Sequence, residues 1–229
     1  MGEGRNYWGT DLGGVEPKSF NPKEGRMGTR LPKRYQEDMA PEVGKAMWRQ
    51  GYIEPWELLR IAVWKSAIGG AALSVEEPDR IRSVTRSVLS ILQPYRDATA
   101  AEKLSGAVVE REAFLEATRL AIGFGPKGDA GSGLRSLHGI QLRVATAVLN
   151  TLNPNAWPVV DRWAVRTVFA QPWPDPGRLD VYWQYLERLA EIQRRWHQDL
   201  TIHEVDLLAM NLGMNEEEPL FDRIAFVTG

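Results

Sequence analysis

Apolar residues recur at helical spacing in one segment after another, and nowhere do they alternate over a useful strand length. In "EPWELLRIAVWKSAI", Leu58, Ile61, Ala62 and Lys65 stand at i, i+3, i+4 and i+7, with Pro55 suited to a first helical turn. Ser74 and Glu77 predict a capping box ahead of Ile81, Val84, Val88, Leu89 and Leu92, with Pro94 as the stop. Phe114, Leu115, Thr118 and Ile122 share a helix that ends at Gly123 or Gly125. A short "LRSL" leads into an apolar helix over about 142–152, and another helix starts near Asp161. "DVYWQYLERLAEIQRRW" and "TIHEVDLLAMNLG" close the pattern, the latter with a Thr201 to Glu204 capping box and Gly213 as its stop. The pattern predicts an all-α protein with short loops except around 123–133.

Two domain-level expectations follow. Residues 1–40 are rich in Gly, Pro and charge and lack apolar periodicity, which predicts an extended basic arm containing Arg26, Arg30, Lys33 and Arg34. Residues 41–229 then form a single helical domain, and the 43% hydrophobic content of the 229-residue chain supports a sizeable core. No cysteine is present, which excludes disulfides, thiolate nucleophiles, thiolate zinc sites and iron–sulfur clusters. His138, His197 and His203 form no pair at catalytic-zinc spacing. Neither a signal-peptide core nor an apolar run of membrane-spanning length is found, so a cytoplasmic monomer away from membranes is expected. A net charge of −2 argues against a uniformly basic nucleic-acid binder, but not against one positive face. Arg135, Arg143, Arg162 and Arg166 flank one segment, whereas Glu216, Glu217 and Glu218 sit near the far end.

That segment contains an oddity. Asp161 follows Trp157, Pro158, Val159 and Val160, where a carboxylate is costly to desolvate. At a helix start its charge would be compensated by free N–H groups and the helix dipole. Aspartate is also a favoured N-cap, which is the ordinary structural reading. Just upstream, "SLHGIQLRVATAVLN" has the form of a short helix, a turn on Gly139 and a second helix with Val144, Ala145, Val148 and Leu149 inward. A glycine-permitted turn between two helices lets backbone N–H groups hold a DNA phosphate, directly or through a monovalent cation.

These residues resemble the helix-hairpin-helix element of the DNA glycosylase superfamily, in the endonuclease III-like branch but without the iron–sulfur cluster. The family's Leu-Pro-Gly-Val-Gly turn aligns with Leu137, Gly139 and Ile140, and Asp161 falls on the family's aspartate, eighteen residues after Arg143. "PWELLRIAVWKSA" resembles an upstream helix of the same branch at about the expected distance. The two matches cover roughly residues 54–70 and 134–169. The resemblance implies a two-lobed glycosylase-like fold, double-stranded DNA as partner, and Leu137, His138, Gly139, Ile140, Gln141 and Arg143 as DNA-binding positions. It implies Asp161 as the catalytic carboxylate. Arg143 stands where bifunctional members carry a Schiff-base lysine, and a guanidinium is a poor nucleophile, so a monofunctional hydrolase is expected. Lys65 lies on the helix that lines the base pocket in relatives and is a second catalytic candidate. Gln141 and His138 replace the family's second glycine and its proline, which puts the cation in doubt; no other cofactor is implied.

A flipped base needs aromatic or apolar walls, and nine tryptophans are available. Trp64 and Trp157 are the pocket candidates, Trp48 and Trp56 lie nearby, and Trp183 and Trp196 suit packing of the C-terminal helices. The expected reaction is hydrolysis of the N-glycosidic bond of a damaged base, or of a hypermodified base in phage DNA, in repair or in antiphage defence. Two alternatives remain open: a non-catalytic helix-hairpin-helix DNA-binding module, and an all-α interaction protein without a nucleic-acid role.

Overall fold

The computed structural model describes residues 41–125, 132–169, 175 and 177–214, all within the unit Asp38–Gly229. The expected basic arm over 1–40 and the acidic Glu216–Glu218 run lie outside the described residues. The fold is all-α. In chain order the helices are α1 (Pro41–Gln50), α2 (Pro55–Lys65), α3 (Ala67–Leu73), α4 (Pro78–Leu92), α5 (Ala100–Ser105) and α6 (Val108–Ile122). These are followed by α7 (Leu142–Leu152), α8 (Arg162–Val168), α9 (Leu179–Trp196) and α10 (Ile202–Met214), with short 3-10 turns at Gln93–Tyr95 and Leu134–Ser136. No described helix is long and apolar enough to cross a membrane.

Local chemistry sets several boundaries. Pro55 occupies the first turn of α2, and the Glu57 carboxylate accepts from the Glu54 N–H at 3.3 Å. Ser66 ends α2 in an extended conformation and caps α3, its Oγ accepting from the Gly69 N–H at 3.0 Å. The chain therefore breaks direction immediately after Lys65. Helix α6 stops at Gly123, whose φ of +98° favours glycine. The Thr201–Glu204 box opens α10 as its sequence predicts.

Two expected boundaries are corrected. Helix α4 is capped by Glu77 with Pro78 in its first turn, while Ser74 instead ends α3 and donates to the Ala71 carbonyl. Gly213 does not stop α10, which runs to Met214. A Cβ at Gly213 would meet the Trp163 carbonyl at 2.0 Å, so this glycine permits the close crossing of α10 on α8.

Helix α7 is the centre of the core and packs against α1, α2 and α6. Every residue from Val144 to Leu152 is buried, and of its eleven residues only Arg143 is exposed. Its buried Val and Leu side chains each contribute roughly 2 kcal/mol. Trp48, on α1, donates its indole N–H to the Leu152 carbonyl at 3.0 Å and is a core residue. Helices α8, α9 and α10 pack together, with Tyr182, Tyr185 and Val205 fully buried.

Candidate functional site

The structure joins residues 96 positions apart at Lys65 and Asp161. Asp161 is the N-cap of α8. Its Oδ1 accepts from the Trp163 and Ala164 N–H groups at 2.9 and 3.0 Å, while Oδ2 accepts from the Lys65 ammonium at 3.0 Å. The two side chains are only 10% and 11% exposed. Lys65 is the last residue of α2, where the helix dipole favours a cation, and its ammonium lies 5.4 Å from the Trp64 ring centroid. Capping and ion pairing thus divide the two oxygens of one carboxylate.

The apolar approach to Asp161 is a buried, irregular segment whose backbone is satisfied by side chains from three helices. Asn150 of α7 donates to the Trp157 carbonyl at 3.1 Å, and the Tyr182 hydroxyl of α9 donates to the Pro158 carbonyl at 3.3 Å. The Val159 N–H donates to Asp206 of α10 at 3.2 Å, and the Val160 N–H to Thr146 Oγ1 of α7 at 3.4 Å. Asp206 also accepts from the Tyr185 hydroxyl. Burial pushes its carboxyl up to about 7; Tyr185 pulls it down and the Asp161 charge raises it further.

The hairpin turn lies between the Leu134–Ser136 turn and α7. Gly139 has φ +78° and sits so close to α3 that a Cβ would meet the Gly69 carbonyl at 2.2 Å. Leu137 and Ile140 are buried anchors, so their side chains do not face a DNA partner. The His138 N–H, expected to point outward, donates to buried Glu76 at 2.7 Å, and the imidazole Nδ1 lies 2.8 Å from the same oxygen. Arg80 bonds both Glu76 and the Ser136 carbonyl, clamping the turn to the start of α4. The Ile140 N–H closes the turn on the Leu137 carbonyl. What remains outward is the exposed pair Gln141 and Arg143 at the start of α7, where Gln141 makes no side-chain cap and the first N–H groups have no intrahelical partner.

The hairpin and Lys65 open on one cavity of about 370 Å³, lined among the described residues by Lys65, Ser66, Gly139, Gln141, Leu142, Arg143, Val144 and Gly177; Asp161 stands behind Lys65 and is not part of this lining. Neither tryptophan expected as a pocket wall is among the described residues that line the cavity. Trp157 is fully buried, stacked at 6.2 Å on Phe114 with its indole N–H on Thr118, and so belongs to the core. Trp64 is half-buried behind Lys65 and does not line the cavity. Trp196, expected to pack, is 46% exposed. Of the flanking Arg135, Arg143, Arg162 and Arg166, Arg143 is the one among the described residues lining the cavity, while Arg135 stacks on Phe124 and Arg162 on Trp163.

Sequence reasoning missed Glu76, one of the acids of the turn before α4, and Asp206, a carboxylate within the helical pattern of α10. It also missed Ile68, 86% exposed two residues beyond Ser66. Its signal was a bulky aliphatic off the buried face of α3. No family model, curated protein or solved structure matches this chain.

Proposed function

We propose that this chain is a monofunctional DNA glycosylase of the helix-hairpin-helix type. It would hydrolyse the N-glycosidic bond of a flipped-out base in double-stranded DNA and leave an abasic site. The observation that carries the reading is the buried Lys65–Asp161 pair, whose lysine lines the same cavity as the hairpin. A lysine and an aspartate distant in sequence, desolvated together beside a phosphate-sized set of helix-start N–H groups, suit chemistry at a sugar attached to a phosphate backbone.

In this reading the DNA lies in a cleft between two lobes. Gln141, Arg143 and the first N–H groups of α7 hold a backbone phosphate. The C1′–N bond breaks with its electron pair leaving on the base, and Asp161 stabilises the positive charge that develops on the sugar. Water then attacks C1′ and passes a proton to Asp161, giving the abasic sugar. Lys65 orients Oδ2 as an ammonium and has no free lone pair in that state. Proton transfer to Asp161 across their 3.0 Å contact would make it an amine that attacks C1′ as the base departs and then, with opening of the C1′–O4′ bond, forms an imine, which is the second reading. Among the described residues the cavity offers Lys65, Ser66, Gln141 and Arg143, so it suits a base rich in hydrogen-bond acceptors: oxidised, deaminated or bearing a hydroxylated adduct.

The test is a single-turnover assay on duplexes carrying damaged and hypermodified bases, with and without alkali and borohydride. We expect alkali-dependent strand breaks, and a loss of roughly 10³-fold in Asp161→Asn with DNA binding retained. Breaks without alkali, together with a borohydride-trapped adduct lost in Lys65→Ala, would replace hydrolysis by imine chemistry. Absence of any Asp161-dependent product would leave a DNA-binding module.

A further inference from the structure

Behind the turn that carries Asp161 lies a second carboxylate that the proposed reaction leaves unused. Asp206 is 5% exposed, and both of its oxygens are engaged, one by the Tyr185 hydroxyl and the other by the Val159 N–H at 3.2 Å. Val159 stands two residues before Asp161. Of the four side-chain ties that fix residues 157–160, this is the one made by a carboxylate. We propose that Asp206 is a positioning residue of the site: by holding the Val159 N–H against α10 it fixes the turn that delivers Asp161 to Lys65. The catalytic consequence rests on the glycosylase reading, whereas the geometry does not.

Two donors on two oxygens satisfy the ionised form, yet burial opposes it and the carboxyl is pushed up to about 7. The groups that face it are Tyr182 and Tyr185 from α9, Asp161 at the head of α8 and Lys65 from α2. Burial raises both tyrosines well above the usual phenol range, so they remain neutral donors around neutral pH. The tie to Val159 is therefore strongest above about pH 7 and weakens below it, when the carboxyl takes up a proton. A loosened Val159 leaves Asp161 free to shift relative to Lys65 and to the substrate.

The experiment pairs an activity readout with one that needs no substrate. In the full chain, amide resonances of Val159, Trp163 and Ala164 are followed against pH in wild type, Asp206→Asn and Tyr185→Phe. Single-turnover base release and DNA affinity are measured on the same proteins. We expect the three amides to titrate together with a midpoint near 7 in wild type and not in Asp206→Asn. At pH above that midpoint the rate constant in Asp206→Asn should fall by roughly 10²-fold, as for a misplaced catalytic group, with DNA affinity unchanged. Tyr185→Phe, which removes a donor but keeps the carboxylate, should move the midpoint upward, and it carries the test if Asp206→Asn does not fold. Flat Trp163 and Ala164 amides beside a titrating Val159 would overturn the proposal, as would a wild-type rate profile in Asp206→Asn. Three amides titrating together in a protein that releases no base would support the positioning role while removing the glycosylase reading.

Discussion

The segment from Trp157 to Asp161 and the hairpin from Leu137 to Arg143 are both irregular stretches that lead into a helix, yet they are held in opposite ways. The first is buried, and side chains from α7, α9 and α10 satisfy its backbone. The second is anchored by two buried apolar residues and one carboxylate clamp, and it leaves Gln141 and Arg143 at the surface. Disturbing a buried polar network leaves partners unsatisfied and costs stability, whereas an exposed contact group is lost almost without structural cost. In the glycosylase reading proposed above, the difference separates a part of the site that sets chemistry from a part that sets docking.

The sharpest test of the buried half is pH. The Asp206 carboxyl has an ordinary value of 3.8 and is pushed up to about 7 in the folded protein. Between those values the folded protein keeps a proton that the unfolded chain has released. Its stabilising contribution is full below about pH 4 and disappears as the pH rises through about 7, so stability falls across that window by up to about 4 kcal/mol. Urea unfolding from acid to mildly alkaline pH should show this slope in wild type and lack it in Asp206→Asn. An unchanged slope in the variant would place the titration elsewhere.

Lys65→Ala comes next. It leaves Asp161 Oδ2 desolvated without its cation, although Oδ1 keeps two N–H donors. Unfolding should require about 3 kcal/mol less. Asp161→Asn in the Lys65→Ala background should be milder than the sum of the single changes, because neither charge is then left unpaired. Additive losses would mean the pair is not the buried unit its geometry describes.

The hairpin's own structural limit is Gly139. With φ +78° and the Gly69 carbonyl 2.2 Å from where a Cβ would stand, Gly139→Ala strains the backbone and forces α3 away. We expect about 2 kcal/mol of destabilisation by thermal unfolding, together with weaker DNA binding. A fully stable Gly139→Ala would show that the turn is not held against α3.

Much of the helical frame can be read from spacing alone, because α2, α4, α6, α7, α9 and α10 each repeat apolar residues on one face. Helix α7 spans 142–152 in both the pattern and the structure, and Asp161 opens α8 as its position after the Pro-containing turn suggests. The Lys65–Asp161 contact is not written in either local pattern, since it depends on how α2 crosses α7 and meets the start of α8. Trp157 shows the same limit in reverse. Its place beside Asp161 suggests a pocket wall, but the side chain turns into the core to stack on Phe114. Nothing local distinguishes Glu76 from its neighbours Glu77 and Asp79, or Asp206 from an ordinary helical acid, and only tertiary packing reveals that each ties down a backbone N–H.

The smallest structural effect belongs to Arg143, and it divides the two regions most cleanly. Its side chain is the one exposed group on an otherwise buried helix, it lines the cavity, and it makes no ion pair among the described residues. Arg143→Ala should therefore change stability by less than about 0.5 kcal/mol. If the hairpin start holds a phosphate, the same change should weaken DNA binding similarly across sequences. It should also reduce the dependence of log affinity on log salt by about one, the signature of one lost phosphate contact. Affinity measured at several salt concentrations gives both quantities. A salt slope that stays unchanged would remove Arg143 from the interface, and a large loss of stability would make the hairpin start a structural element like the turn before Asp161, ending the division between docking and chemistry.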